Sequence, residues 1–403
     1  PSQYETFDPK TDIPEKMRTV GDVVKTKIPG VQFGSSFSRL ANLADKLAIV
    51  RSFYTGTGHG GMRPIVSDTT KNTCIGSIYS RLVGATHPKT GLPSSTFLTP
   101  KSVDPKQATL GTRFGKFDST GFLGGGYAPF TPGTGTAQDN LKLKISPQRL
   151  TDRRSLLQAF DDAKFGADAL GNLEGMDGIQ AQAFDVLRKG VIDAFDLSKE
   201  DAKTLARYDT GHYFKPKLWG KKKNVKWYTA HIQTIGKLML LARRLCEAGC
   251  GMITIHTEFV WDMHSDGNNV DVKAGQDIVM RPFDHAVSAF IEDLEARGLS
   301  DKVLLVCCGE MGRTPKLSSK LGRGHWSSLA PLMLYGGGFT HGQVVGKSTR
   351  DGGKPASKPM SPDNLLSTIM STLIDHGEAR LIPGLPPELL RILDQINQTP
   401  GVL

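Results

Sequence analysis

The chain has 403 residues, 38% hydrophobic and 22% charged, which is the ordinary globular range and enough for one large α/β domain spanning 1–403 with insertions. That excludes a disordered chain, and no apolar run reaches the roughly 18 residues of a membrane span. Fifty Lys and Arg against forty Asp and Glu give a formal charge of +10, which favours anionic partners such as phosphate or sulfate esters, acidic polysaccharides or nucleic acid.

The chain opens at Pro1 without an initiator Met or a charged, apolar leader, so it reads as a processed or truncated product with no signal peptide of its own. Phe37 to Ala48 carries apolar residues at helical spacing, and Leu47 to Phe53 has the composition of a buried strand. From Thr86 to Pro147, Gly, Pro, Ser and Thr cluster, including Gly124-Gly125-Gly126, and predict a long ordered insertion or cap over 86–147. Helices are predicted from Thr151, over Ala181 to Phe195 and over Lys199 to Ala206.

The second half is more regular: a helix over Thr229 to Ala248, a strand over Met252 to Phe259, a helix over Phe283 to Arg297, then strands at Lys302 to Cys308 and Leu332 to Tyr335. Strands alternating with helices predict a doubly wound, mostly parallel sheet flanked by helices. In such sheets, chemistry collects beyond the carboxyl ends of the strands.

Five cysteines are an odd number, and Cys307 and Cys308 would point to opposite faces of one strand, so all five read as free thiols in the core. Lys215 to Lys226 is the densest basic stretch and adjoins Trp219 and Trp227, but no nucleic-acid motif accompanies it. A solvated loop is the plainer reading, and nucleic acid is disfavoured as a partner.

The residues after each strand carry the chemistry. Trp261-Asp262-Met263-His264 follows the first strand of the second half and offers a carboxylate and an imidazole, both zinc-type ligands. Gly309-Glu310-Met311-Gly312-Arg313 follows the next, with a guanidinium suited to a tetrahedral oxyanion. Gly322-Arg323-Gly324-His325 adds a second imidazole before the Leu332 strand. The conjunction predicts one cleft binding a metal and an oxyanion: Asp262, His264, Glu310 and His325 hold a divalent ion (zinc, calcium, magnesium or manganese), and Arg313 offsets charge on the transferred group.

These motifs, with Leu241 to Leu245, Asp293-Leu294, Arg297 to Leu299, Gly336 to Gly338, Ser361-Pro362-Asp363, Asp152 to Arg154 and Phe7 to Lys10, resemble the domain of unknown function numbered fifteen-oh-one over nearly the whole chain. That family is similar to the alkaline phosphatase and sulfatase superfamily. The resemblance implies that fold, metal ligands at Asp262, His264, Glu310 and His325, and a periplasmic or extracytoplasmic location reached by twin-arginine export. It also sets His59 beside a histidine-containing family loop, as a catalytic candidate against the plainer reading of a turn histidine. The family's first core strand would lie just upstream of Pro1, which implies a partner or oligomer completing the sheet edge there.

The chain departs from the family at Gly324, where an Asp is usual, and at Gln3 and Glu5, where a Ser-His-x-x-Asp pattern is usual. Cys74 to Ile78 lacks the sulfatase formylglycine motif, and Ser2 and Ser67 are candidate nucleophiles without an activating base in sequence. Three functions are therefore expected in order: a metal-dependent hydrolase of anionic esters, small or polysaccharide; a non-catalytic secreted binding protein with an eroded site; and a polyanion binder using 215–226.

Overall fold

Apolar runs of strand length become buried strands in the computed structural model, which describes residues 2–56, 66–111, 116–133 and 191–403. In chain order the strands are β1 (Val23–Lys25), β2 (Gln32–Gly34), β3 (Leu47–Val50), β4 (Ser95–Leu98), β5 (Met252–Ile255), β6 (Leu304–Cys308), β7 (Gly312–Arg313), β8 (His325–Trp326), β9 (Leu332–Gly336) and β10 (Gln343–Val345). The helices that matter for packing are α1 (Ile75–Val83), α2 (Val225–Glu247), α3 (Arg281–Ala296), α4 (Pro362–Leu373) and α5 (Pro387–Gln398). The expected helices from Thr151 and over Ala181 to Phe195 lie outside the described residues apart from Ile192–Phe195, which is helical.

The largest sheet has the order β10-β3-β9-β6. Its strands are apolar on both sides because each side faces a core. Leu47, Ile49, Cys307, Met333 and Tyr335 pack with α2 and α3, whereas Ala48, Val50, Leu332 and Leu334 pack with α1, α4 and α5. Each fully buried Leu or Ile on these strands contributes about 1.5–3 kcal/mol of transfer free energy. The result is a mixed α/β fold with helices on both faces.

β10 runs parallel to β3, but β9 runs antiparallel to both β3 and β6. The expected parallel arrangement thus fails at Leu332–Gly336, for a reason visible in the connection. A parallel return needs a crossover, usually helical, and residues 309–331 supply only the short β7–β8 ribbon, so the chain doubles back. The start of β9 consequently lies beside the end of β6, with Leu332 paired to Cys308. Loops that leave β6 and loops that enter β9 therefore meet at one edge of the sheet.

β4 and β5 form a separate parallel pair. Ile253 and Ile255 of β5 enter the first core and Met252 the second, so this pair shares the layer of the main sheet. Among the described residues, β5 and β6 each have one edge without a ladder partner. The stretch 86–147, expected as an insertion or cap, contributes β4 to this layer.

Among the described residues, most buried charges are ion-paired. Arg243 of α2 meets Asp293 of α3 at 3.0 Å, Glu200 at 2.7 Å and Glu247 at 2.6 Å, and Asp293 also takes Arg297 and the hydroxyl of Tyr208. This cluster clamps the two helices of the first core. At the start of α4, the Ser361 hydroxyl accepts the Asn364 N–H and the Asn364 side chain returns to the Ser361 N–H, with Pro362 in the first turn. All five cysteines are free, and burial pushes the thiols of Cys246 and Cys307 up to about 12 and those of Cys250 and Cys308 up to about 11.

Asp284 of α3 carries the clearest pH signature. Its carboxylate accepts the N–H groups of Arg39 at 3.1 Å and Leu40 at 2.9 Å, yet burial pushes its pKa from 3.8 up to about 7. A raised folded-state pKa means the folded protein binds the extra proton, so the stabilisation is complete below about pH 4 and is lost as pH rises through about 7. Urea unfolding at successive pH values should therefore show Asp284→Asn gaining on the parent between pH 4 and 7, by at most about 1.4 kcal/mol per pH unit. Parallel curves for the two proteins would remove Asp284 as the source of any slope.

Among the described residues no helix is long and apolar enough to cross a membrane. Trp219 and Trp227 of the basic stretch are buried, so their rings are core residues rather than an exposed stacking platform, and Lys226 lies over the Trp227 ring at 4.6 Å.

Candidate metal centre

Three loops converge where β5 and β6 end and β9 begins. The first runs from Phe259 to Ser265, and the second from Glu310 into β7. The third passes through Gly322 and Arg323 into β8, which pairs with β7 so that Arg313 lies opposite His325. Close backbone approach holds them together. A Cβ on Gly322 would lie 2.0 Å from the carbonyl oxygen of His264, and one on Gly312 would lie 1.7 Å from that of Leu329, so only glycine fits at either place. Phe259, Ser265 and Leu321, flanking these loops, all have φ near +60°, a strained conformation for such residues.

Asp262 Oδ1, His264 Nε2 and His325 Nε2 all lie within 4.8 Å of one another. The two imidazole nitrogens are 3.0 Å apart, and the carboxylate oxygen is 3.2 Å from His325 and 3.6 Å from His264. His264 Nδ1 is 2.5 Å from the Arg323 carbonyl oxygen, which can only accept. The proton of the neutral ring is thereby placed on Nδ1, and the Nε2 lone pair faces the cluster. Two imidazoles and one carboxylate form a donor set suited to zinc and related divalent ions, with coordination positions to spare, so these residues fit a metal ion.

Arg313 stands immediately behind. Its side chain is 1% exposed, and its Nη2 donates to Asp262 Oδ1 and, at 3.1 Å, to Glu310 Oε1. Nη1 donates to the carbonyl oxygens of Met311 at 3.2 Å and Gly312 at 2.9 Å. Burial alone would raise the Asp262 pKa. The His325 hydrogen bond and the charge of Arg313 outweigh it and hold the carboxyl well below the usual carboxylate range. Arg313 Nε and Ser2 Oγ are buried without a partner, and both residues line a cavity of about 20 Å³, the size of one water molecule.

Behind the histidine loop, Arg323 is buried against Glu5. Its Nε donates to Glu5 Oε1 at 2.7 Å, and its Nη atoms donate to the Tyr4 hydroxyl at 2.8 Å and to the carbonyl oxygens of Thr314, Pro315 and Arg18. The guanidinium also lies 4.4 Å from the centre of the Tyr4 ring. This lock fixes the carbonyl that orients His264. Gln3, beside it, donates to the carbonyl oxygen of Trp261 at 3.2 Å.

Of the residues expected to hold metal, Asp262, His264 and His325 come together. Glu310 stays outside that group and contacts Arg313 instead. Arg313, expected on substrate, is turned inward onto two carboxylates. His59 lies outside the described residues. Ser2 is fully buried, and Ser67 Oγ accepts the Thr70 N–H at 3.3 Å within a local turn. The sequence marks Glu5 only as a departure from the family pattern and Arg323 only as part of Gly322-Arg323-Gly324-His325; a charge pair 318 residues apart leaves no signal of its own in the sequence.

A family model described as "Protein of unknown function (DUF1501)" matches residues 1–381. Searches of curated proteins and of solved structures gave no match.

Proposed function

Since this chain belongs to the DUF1501 family of proteins of unknown function, its activity has to be read from its own site, and we propose a metal-dependent hydrolase of phosphate or sulfate esters or related oxyanions. The observation that carries this reading is the convergence of Asp262, His264 and His325 from two loops, with His264 presenting Nε2. When bound there, a divalent ion would supply Lewis acidity toward an ester oxygen and acidify a bound water. The chain's own residues do the rest: Arg323 orients His264, Arg313 keeps Asp262 ionised, and the buried backs of both loops keep water away from one side of the site. The fold we infer is that of the alkaline phosphatase and sulfatase superfamily, supported by a mixed α/β layer that delivers ligands at one sheet edge. Export to the periplasm belongs to the same proposal.

One observation favours a second reading, a non-catalytic binding protein on the same fold: Arg313 already gives Asp262 a cationic partner. Metal content separates the two. Protein purified without chelator should carry a divalent ion that the double change His264→Ala and His325→Ala removes, and the loaded protein should cleave members of a phosphate and sulfate ester panel. A metal-free protein whose melting temperature is unmoved by zinc, calcium, magnesium or manganese would leave the binding protein as the reading.

A further inference from the structure

We propose that Arg313 is a built-in counter-cation that fills the place of a second metal, so that the site takes one divalent ion on Asp262, His264 and His325 while Glu310 holds Arg313 rather than metal. This rests on the metal-dependent reading above and specifies its cofactor count. The guanidinium lies between two carboxylates from different loops, Asp262 after β5 and Glu310 after β6, donating to both from the same nitrogen. A side chain 1% exposed, with its second terminal nitrogen tied to two carbonyl oxygens of its own turn, cannot swing out to a substrate without giving up four hydrogen bonds.

Charge and donor chemistry agree. A guanidinium does not lose its proton in proteins, so this positive charge is permanent. With both imidazoles neutral, the two carboxylates and Arg313 leave one net negative charge, which a single divalent ion turns to one positive; a second ion would bring it to three positive in a partly buried site. A second ion would also want imidazole or carboxylate donors beside Glu310. In the parent the guanidinium stands on the Glu310 carboxylate at 3.1 Å, so that donor is taken as long as Arg313 is present. Glu310 is thus a positioning residue: it shares Arg313 with Asp262 and keeps it from leaving that carboxylate.

The test is the number of Mn²⁺ ions bound per chain, by equilibrium dialysis with elemental analysis, read together with electron paramagnetic resonance, which separates an isolated ion from a coupled pair. The parent protein should bind one isolated ion. Arg313→Gln, which removes the charge and frees both carboxylates, should bind two with a coupled signal, and adding Glu310→Gln to it should return the count to one. Arg313→Lys keeps a positive charge and should stay at one. Two ions in the parent, or one ion in a folded Arg313→Gln protein, overturns the counter-cation while leaving the metal-dependent reading standing. No ion in the parent sinks both. If Arg313→Gln does not fold, Glu310→Gln alone decides: one ion held at near parental affinity supports the proposal, and a tenfold or greater loss of affinity makes Glu310 a ligand and overturns it.

Discussion

Asp262→Ala is expected to cost about 3–5 kcal/mol of stability even in chelator, because it strips the permanently charged, buried Arg313 of one of its two carboxylates. Metal binding should vanish in the same protein, since Asp262 is the sole carboxylate of the three-residue group. Asp262→Asn separates these effects: it retains shape and one hydrogen-bond acceptor for Arg313, so it should lose less stability while still losing the metal. Its pH dependence has a definite sign. The folded-state pKa is depressed below 3.8, so the stabilisation is present above about pH 4 and is lost as pH falls through the folded value. Chemical unfolding with chelator at pH 3, 4 and 7 should show the parent losing its advantage over Asp262→Asn in acid; a constant difference would mean that Arg313 does not depend on this carboxylate.

A comparable loss, again about 3–5 kcal/mol, is expected for Glu5→Ala, which leaves Arg323 charged at 1% exposure with only neutral partners. The loss should reach the metal site, because the Arg323 carbonyl that orients His264 sits in the same locked turn. Removing an outer partner of a ligand typically lowers metal affinity about 10–100-fold. Replacing both partners, Glu5→Met with Arg323→Met, should recover part of the stability by removing the uncompensated charge. Thermal melts of the three proteins, with Zn²⁺ titrations of each, give both readouts. An unchanged Zn²⁺ affinity in Glu5→Ala would show that the loop holds His264 without help from the pair.

Much of this arrangement was legible before any coordinates. β3, β5, β6 and β9 are apolar runs of the right length, and Asp262, His264 and His325 follow or precede them in loops, which is where ligands of an α/β layer belong. The direction of β9 is not legible in its composition, although a connection without a helix argues against a parallel return. β4 was hidden because Thr96, Phe97 and Leu98 are embedded among Gly, Pro and Ser, and composition over a long window drowned a four-residue strand. The partners of Arg313 could not be read at all. A guanidinium near a carboxylate in sequence says nothing of a second carboxylate 51 residues away, and it was this second contact that turned the side chain inward. Gln3 and Glu5 looked like an eroded site by their residue types; in three dimensions they brace the loops that carry Asp262 and His325.

The five free thiols have a practical consequence. With their pKa values raised by burial, they form almost no thiolate at neutral pH, and in the folded chain Cys74, Cys250 and Cys307 are buried while Cys246 and Cys308 are half-buried. Each therefore reacts when its own neighbourhood opens, and the labelling rate becomes a clock for that opening. Cys307 and Cys308 time the β6 edge beside the metal loops, Cys250 times the β4–β5 pair through its contact with Thr96, and Cys74 times the start of α1. A protein without engineered probes thus carries reporters on both strands that lead into its site.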